Sequence, residues 1–322
     1  MVDRWPSLSV VMPVRDEARH LADAVTAVLA QEYPGPFEVV LALAPSADGT
    51  EEVARRLAVD DPRIVLVDNP SGTTPSGLNR AIDAATGAVI ARVDAHAELS
   101  PGYLRTAVEI LEETGAANVG GLQRAIGSEP MQRAIAAAMS SRFGGGTARF
   151  RDGGSAGPSD TVYLGVFQGE VLRQLGAFDE RLIRNQDYEL NVRIRQSGHT
   201  VWFDPRLEVV YRPRATLGAL ASQYWQYGRW KRMTVRQHPR SLRWRQLVPP
   251  ATVVANGAGL LGALATPWML VVPGVYLCGV LGASVLTGRT EPALLWRLPL
   301  AFVTMHHAWG VGFLLGPPRR SG

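Results

Sequence analysis

Residues 88–96 read Ala88-Val89-Ile90-Ala91-Arg92-Val93-Asp94-Ala95-His96. A short β-rich run that follows a helical pattern (Ser76–Ala85) and breaks on an acid reads as a strand of a parallel sheet. The same unit recurs upstream. Ile64–Val67 is a strand after the helical stretch Glu51–Ala58, and Phe37–Leu43 is a strand before the turn-like Pro45-Ser46-Ala47-Asp48-Gly49-Thr50. Leu21, Val25, Val28 and Leu29 recur at helical spacing after the β-rich run 7–12, which Pro13 is expected to end. Alternation of this kind predicts the α/β class, with a parallel sheet covered by helices on both faces. Ligands of such sheets sit beyond the carboxyl ends of the strands. The polar residues to examine are therefore Arg15-Asp16-Glu17, Ser46–Thr50, Asp68-Asn69 and Asp94–His96.

The chain has 322 residues, 46% of them hydrophobic, and a single cysteine, Cys278. One cysteine excludes an internal disulfide and a cysteine-based zinc cluster. The net charge of +4 conceals a split. Residues 211–246 hold nine Lys or Arg and no acid, and 247–322 hold four Arg against Glu291 alone, so 1–210 keeps 20 basic and 28 acidic residues. A nucleic-acid binder is basic over its body, so nucleic acid is excluded as a partner. An acidic body followed by a basic collar suits a domain resting on an anionic membrane. No charge occurs from Leu247 to Gly288, about twice the roughly 20 residues a spanning helix needs. A helical hairpin at about 248–266 and 268–287 is expected, with a third apolar stretch, Leu298–Leu315, that spans or lies at the interface. Residues 1–20 are too polar for a signal peptide. The collar belongs on the cytoplasmic side, while Arg319 and Arg320 also favour that side, so the number of spans stays open between two and three. The expected organisation is a body at 1–210, a basic amphipathic segment at 211–246 and an anchor at 247–322.

Several residues suit chemistry. Asp94 and His96, at alternate positions after a strand, are expected on one side, where a carboxylate and an imidazole share a divalent ion that bridges a diphosphate. Asn185-Gln186-Asp187-Tyr188-Glu189-Leu190 opens a helix. Asp187 and Glu189 lie two apart and diverge, so one faces a site and the other turns away or supports it; a carboxylate at a helix N-terminus is held ionised. Gln223–Arg232 interleaves aromatics with cations, suiting a membrane interface and sugar stacking alike. The glycine-rich stretch 143–160 is a linker or a lid. No internal repeat and no GxxxxGK[ST] phosphate loop occurs.

These pieces in this order resemble the family-2 glycosyltransferases of GT-A fold, most closely bacterial exopolysaccharide enzymes of the succinoglycan type. The matching residues are Val10–Glu17, Ser46–Thr50, Gly77-Leu78-Asn79-Arg80-Ala81-Ile82, Arg92–His96 and Arg184–Asn191, so the resemblance spans about 7–235. It implies a Rossmann-like nucleotide-sugar-binding domain in a multi-pass protein of the inner (plasma) membrane, with its body in the cytoplasm. Pro13, Arg15 and Glu17 would line the nucleotide pocket, with Glu17 near the ribose and Asp48 holding the base or ribose. Asp94 and His96 would take the two places of an Asp-x-Asp motif and hold Mg2+ or Mn2+. Asp187 would be the general base on the acceptor hydroxyl. Gln226, Arg229 and Trp230 match a QxxRW motif that contacts the acceptor end and the diphosphate. The chain departs from the pattern at His96, where relatives carry a second Asp, and at Leu43, where many carry an Asp that reads uracil. A base plus a stabilised diphosphate leaving group implies direct displacement with inversion. The acceptor is expected to be a lipid-linked glycan or polysaccharide. The rival readings are a polyprenyl-phosphate sugar transferase, a processive synthase and a non-catalytic membrane scaffold.

Overall fold

The computed structural model describes residues 5–146 and 148–317. In chain order the elements are β1 (Leu8–Val14), α1 (Leu21–Leu29), β2 (Phe37–Leu43), α2 (Thr50–Asp60), β3 (Ile64–Asp68), α3 (Thr74–Ala84), β4 (Val89–Arg92), β5 (Glu98–Leu99), α4 (Tyr103–Thr114) and β6 (Asn118–Ala125). There follow α5 (Pro130–Ser140), α6 (Arg142–Gly145), α7 (Arg149–Asp152), β7 (Gly157–Pro158), β8 (Tyr163–Gln168), α8 (Gly169–Gln174), α9 (Gln186–Gln196) and β9 (Val201–Tyr211). The last helices are α10 (Leu217–Gln237), α11 (Val248–Gly262), α12 (Val271–Gly288) and α13 (Leu298–Leu315). Two compact units result, Met1–Arg124 with Ala148–Tyr211, and Ala125–Thr147 with Arg212–Gly322.

The first unit is built on one sheet in the order β3-β2-β1-β4-β8-β6-β9-β5, with β7 on β9. Strand pleating sends alternate side chains to opposite faces. Leu8, Val10, Met12 and Val14 meet α1 and α4 on one side, while Val11, Val40 and Ala42 meet α3 and α9 on the other. Both faces are therefore covered, and the central strands read as continuous apolar runs for that reason. β1 to β4 are parallel. β2 lies on one side of β1 and β4 on the other, so the carboxyl ends of β1 and β4 flank the point where strand order reverses.

Two sequence expectations change here. β1 runs through Pro13 to Val14 instead of ending at Pro13. Its pairing with β4 stops at Val11↔Arg92, while pairing with β2 continues to Val14↔Leu43. Pro13 thus has a partner strand on one edge only, where a missing N–H is tolerated. The sheet is also mixed: β8 runs antiparallel to β4, and β6 antiparallel to β8.

The second unit is helical. Gly228 on α10 abuts the carbonyl of Trp309 on α13, Gly312 on α13 abuts the carbonyl of Trp225, and Gly310 abuts Pro249 of α11. Any side chain there would meet backbone, so these glycines set how closely the helices approach. Arg229 Nε donates to Gly316 O at 2.7 Å, and Arg232 donates to the carbonyls of Phe313 and Leu314. These are the acceptors that the end of a helix leaves open. The first member of the expected hairpin is shorter than foreseen. α11 stops at Gly262 after 15 residues, about 22 Å, against a hydrocarbon core of about 30 Å. Among the described residues, the helices long and apolar enough to cross a membrane are Pro267–Gly288, of 22 residues, and Leu298–Leu315, of 18. α12 exposes Val271, Val275, Leu277, Leu281, Val285 and Leu286, apolar side chains of the kind that mark a membrane or protein contact. Arg319 and Arg320 lie outside the described residues.

Replacing Gly312 or Gly228 by Leu should force α10 and α13 apart. Overpacking costs about 1–3 kcal/mol, so the detergent-solubilised protein should lose about 5 °C in Tm, measured by differential scanning fluorimetry. An unchanged Tm would contradict the close approach.

Candidate active site

The carboxyl ends of β1, β2 and β3 are tied together through short polar side chains. Asp16 adopts φ 52°, a left-handed conformation that Asp tolerates. Its N–H donates to Ser46 Oγ at 3.0 Å, and its Oδ1 accepts from Ala47 N at 3.1 Å. Glu17 N–H donates to Thr50 Oγ1 at 2.8 Å, and Ala18 N–H to Asp48 Oδ2 at 3.0 Å. Asp48 Oδ1 accepts from the Thr50 hydroxyl at 2.5 Å. The Thr50 hydroxyl, followed by the Ala18 amide, holds the Asp48 carboxyl below its ordinary value. Arg15 reaches Gly72 O at 3.3 Å, beside β3. Arg15, Glu17 and Asp48 are thus brought together, with Pro13 at the base of the loop where it packs near Gly77. Leu43 closes β2 with its side chain against the core.

β4 ends at Arg92, two residues before Asp94. The chain then turns, with Ala97 N–H donating to Asp94 O at 2.9 Å. The extended geometry expected for Asp94 and His96 is therefore absent, and they have different partners. Asp94 Oδ1 accepts from Arg92 Nε at 3.2 Å and Nη2 at 2.9 Å. His96 Nδ1 lies 2.8 Å from Glu17 Oε1. A carboxylate beside one ring nitrogen orients the imidazole, as outer carboxylates do for metal-ligating histidines. Glu17, expected at the ribose, spends one carboxylate oxygen on this contact.

α9 presents the two acids quite differently. Asn185, at φ 63°, turns the chain into the helix. Glu189 is 3% exposed and accepts from Arg193 Nε and Nη2, both at 2.8 Å. Arg193 also donates to Leu175 O and Ala177 O, so Glu189 is the supporting acid. Asp187 is 40% exposed and accepts from Arg92 Nη1. Its Oδ2 takes no hydrogen bond among the described residues. Asn191, underneath, accepts from Asn118 Nδ2 at 2.6 Å and donates to Thr161 Oγ1 at 2.9 Å, pinning α9 to β6. Asn79 takes Phe178 N–H at 2.9 Å and donates to Phe178 O and Glu180, holding the loop that leads to α9.

Two side chains given no role from sequence stand in this site. Arg92 is 7% exposed and spans Asp94 and Asp187. Burial alone would push its guanidinium down, but Asp187 and then Asp94 hold it above its ordinary value. A cation in an otherwise apolar strand was the available signal, because buried charges are paired. Tyr163 stands at the start of β8. Burial, then the nearby Asp94, push its phenol well above 10. No sequence pattern marked it.

Among the described residues no three His, Cys, Asp or Glu side chains cluster as a metal site. A metal bound to a diphosphate takes several ligands from phosphate and water, so two protein donors are enough. Asp94 keeps Oδ2 without a hydrogen bond among the described residues, and His96 is oriented by Glu17. In the second unit Gln226 lies 3.4 Å from Ser222 Oγ, Arg229 covers the Trp225 ring at 4.3 Å, and Trp230 is half-buried.

Loops at the carboxyl ends of parallel strands thus carry acids and a buried arginine opposite a helix-borne carboxylate. Residues 9–173 match Glycosyl transferase family 2. The chain is 34% identical over 313 residues to the succinoglycan biosynthesis protein ExoA of Rhizobium meliloti (strain 1021), covering 94% of this chain and 93% of that one. A dolichyl N-acetyl-alpha-D-glucosaminyl phosphate 3-beta-D-2,3-diacetamido-2,3-dideoxy-beta-D-glucuronosyltransferase of Methanococcus voltae is 24% identical, over 96% of each chain. The fold resembles that of the mannosyltransferase PcManGT from Pyrobaculum calidifontis, solved with GDP-Man and Mn2+, at a TM-score of 0.59 and 21% identity over 94% of this chain and 88% of that one. The chain belongs to glycosyl transferase family 2 and is a glycosyltransferase with a GT-A-like fold.

The Asp48 contacts predict a local effect. Its lowered pKa means that the stabilisation is fully present at neutral and mildly acidic pH, and is lost only as pH falls below the ordinary Asp range. Asp48→Ala should therefore speed amide exchange at Ala18 and Thr50 several-fold at pH 7, read by hydrogen–deuterium exchange. Unchanged exchange would show that the loop holds without it.

Proposed function

We propose that this protein moves a sugar from a nucleotide-sugar donor to a lipid-linked or polysaccharide acceptor, with inversion, at the cytoplasmic face of the inner (plasma) membrane. The observation that carries the reading is the Asp187 carboxylate. One oxygen is held by Arg92, the other is open, and Glu189 is fully engaged elsewhere. A base so placed takes the proton of an acceptor hydroxyl at Oδ2. The acceptor oxygen bonds to the anomeric carbon as the bond from that carbon to the diphosphate oxygen breaks, and the nucleoside diphosphate departs with the electron pair. Direct displacement of this kind inverts the centre and needs no covalent nucleophile. Pro13, Arg15, Glu17 and Asp48 are assigned to the nucleotide. Asp94 and His96 would hold Mg2+ or Mn2+, which when bound neutralises the departing diphosphate. The mannosyltransferase's complex with GDP-Man and Mn2+ supports both the donor class and the metal. Gln226, Arg229 and Trp230 are assigned to the acceptor end and the diphosphate.

Membrane lipids are the remaining partner. The arginines of the basic segment cap the carboxyl end of α13, so that end of α13 lies with the collar. The nine cations of the basic segment favour the cytoplasmic side. A lipid-linked acceptor is supported by the Methanococcus relative, whose name specifies a dolichyl phosphate sugar.

Asp187→Asn should lower transfer by about 10²–10⁴-fold while leaving donor affinity within a few-fold, read by nucleoside diphosphate release and by calorimetry. Near-normal turnover would remove Asp187 from its role. Asp94→Ala should abolish the metal-dependent part of donor binding, so that titrations with and without chelator coincide. A variant that still responds to chelator would place the metal elsewhere. A panel of nucleotide-sugars incubated with the purified full chain identifies the donor, and release from none of them would contradict transfer.

A further inference from the structure

Arg92 is the one charged residue of β4, a strand paired on both edges. Nothing in the pairing of β4 calls for a cation. Its side chain is 7% exposed, with Phe178 6.0 Å from the guanidinium. All three donor nitrogens face carboxylates: Nε and Nη2 meet Asp94 Oδ1, and Nη1 meets Asp187 Oδ1. One flat, rigid group thereby joins an acid on the turn after β4 to an acid on the first turn of α9, which lies 95 residues beyond Arg92 in sequence.

We propose that Arg92 is a positioning residue for sugar transfer. It fixes the base, Asp187, relative to the diphosphate end of the donor at Asp94, and leaves Asp187 Oδ2 aimed at the acceptor. The inference rests on the assignment of Asp187 as base. Its chemistry depends on shape as well as charge. A guanidinium presents fixed, divergent N–H groups in one plane, so holding one carboxylate sets the direction of the other. A lysine ammonium supplies the charge without that plane. Displacement also demands near-attack geometry, and an error of about 1 Å in a reacting group costs about 10²-fold in rate.

Two plainer roles compete. If Arg92 only neutralises two acids, Lys serves equally well. If it only stabilises the end of β4, its loss lowers the folded fraction and leaves kcat per folded molecule unchanged. The full chain in nanodiscs separates these with Arg92→Lys and Arg92→Met. The readouts are kcat and donor KM from nucleoside diphosphate release, donor affinity by calorimetry, Tm, and the ratio of acceptor transfer to donor hydrolysis. Positioning predicts that Lys lowers kcat by about 10²-fold and Met at least as far. Donor KM and affinity should stay within about threefold, and the transfer-to-hydrolysis ratio should fall, because a misplaced base penalises an oriented acceptor more than water. A Lys variant with kcat within threefold of the parent overturns the proposal. So does a loss confined to donor KM, or one matched by the fall in folded fraction. Should the Met variant fail to fold, the Lys variant decides by the same criteria. Asp187→Asn is measured alongside. If it retains turnover, the base assignment fails and this inference with it. If it is inactive while Arg92→Lys is unimpaired, only the role of Arg92 is refuted.

Discussion

A guanidinium buried at the end of a strand must find anions, and satisfying Arg92 is the constraint on which the site depends. An unpaired buried cation costs several kcal/mol, so the folded state has to bring carboxylates to it. Asp94 is supplied locally by the turn after β4. Asp187 comes from α9, which is pinned below by Asn191 and held at its entry by Asn79. The polar contacts that look structural therefore serve to deliver one carboxylate to one arginine.

The parallel half of the sheet was legible in sequence because its signals are local. β2 has the expected limits, and α1, α3 and β3 lie within a residue or two of theirs. Each is a run of one period bounded by a turn. The second half was not legible for the same reason reversed. β5 and β7 are two residues long, and β6 carries Gly121 at a point where Leu207 of β9 leaves no room for a side chain. Those strands exist through pairing with distant segments, and no window of sequence contains the partner. Pro13 misled in the same way, since whether a proline ends a strand depends on which of its edges is paired.

Charge patterning located the basic segment but not its packing. The interleaved aromatics and cations of Gln223–Arg232 predict a surface segment and give no sign of how Gly228 packs. In the structure Gly228 admits α13, and Arg229 goes to a carbonyl at the end of that helix. In the apolar tail the sequence predicts two hairpin members of spanning length, at about 248–266 and 268–287. Its members differ because Ala263–Thr266 interrupts the helix, leaving α11 short of a span and joining Pro267–Leu270 to α12.

The acids of α9 show how much chemistry a sequence leaves open. Asp187 and Glu189 are both carboxylates in the first turn of one helix, and the helix dipole favours ionisation of either. Spacing says only that they diverge. Their division of labour comes from what each meets. Glu189 turns into the protein, where Arg193 takes both oxygens and closes it to a substrate hydroxyl. Asp187 turns outward and gives up one oxygen to Arg92. A carboxylate with both oxygens occupied can only support, whereas one with a single oxygen held is both oriented and available. The same rule applies to Asp94, which gives Oδ1 to Arg92 and keeps Oδ2. Arg92 thus holds one oxygen of each acid and leaves the other without a hydrogen bond among the described residues.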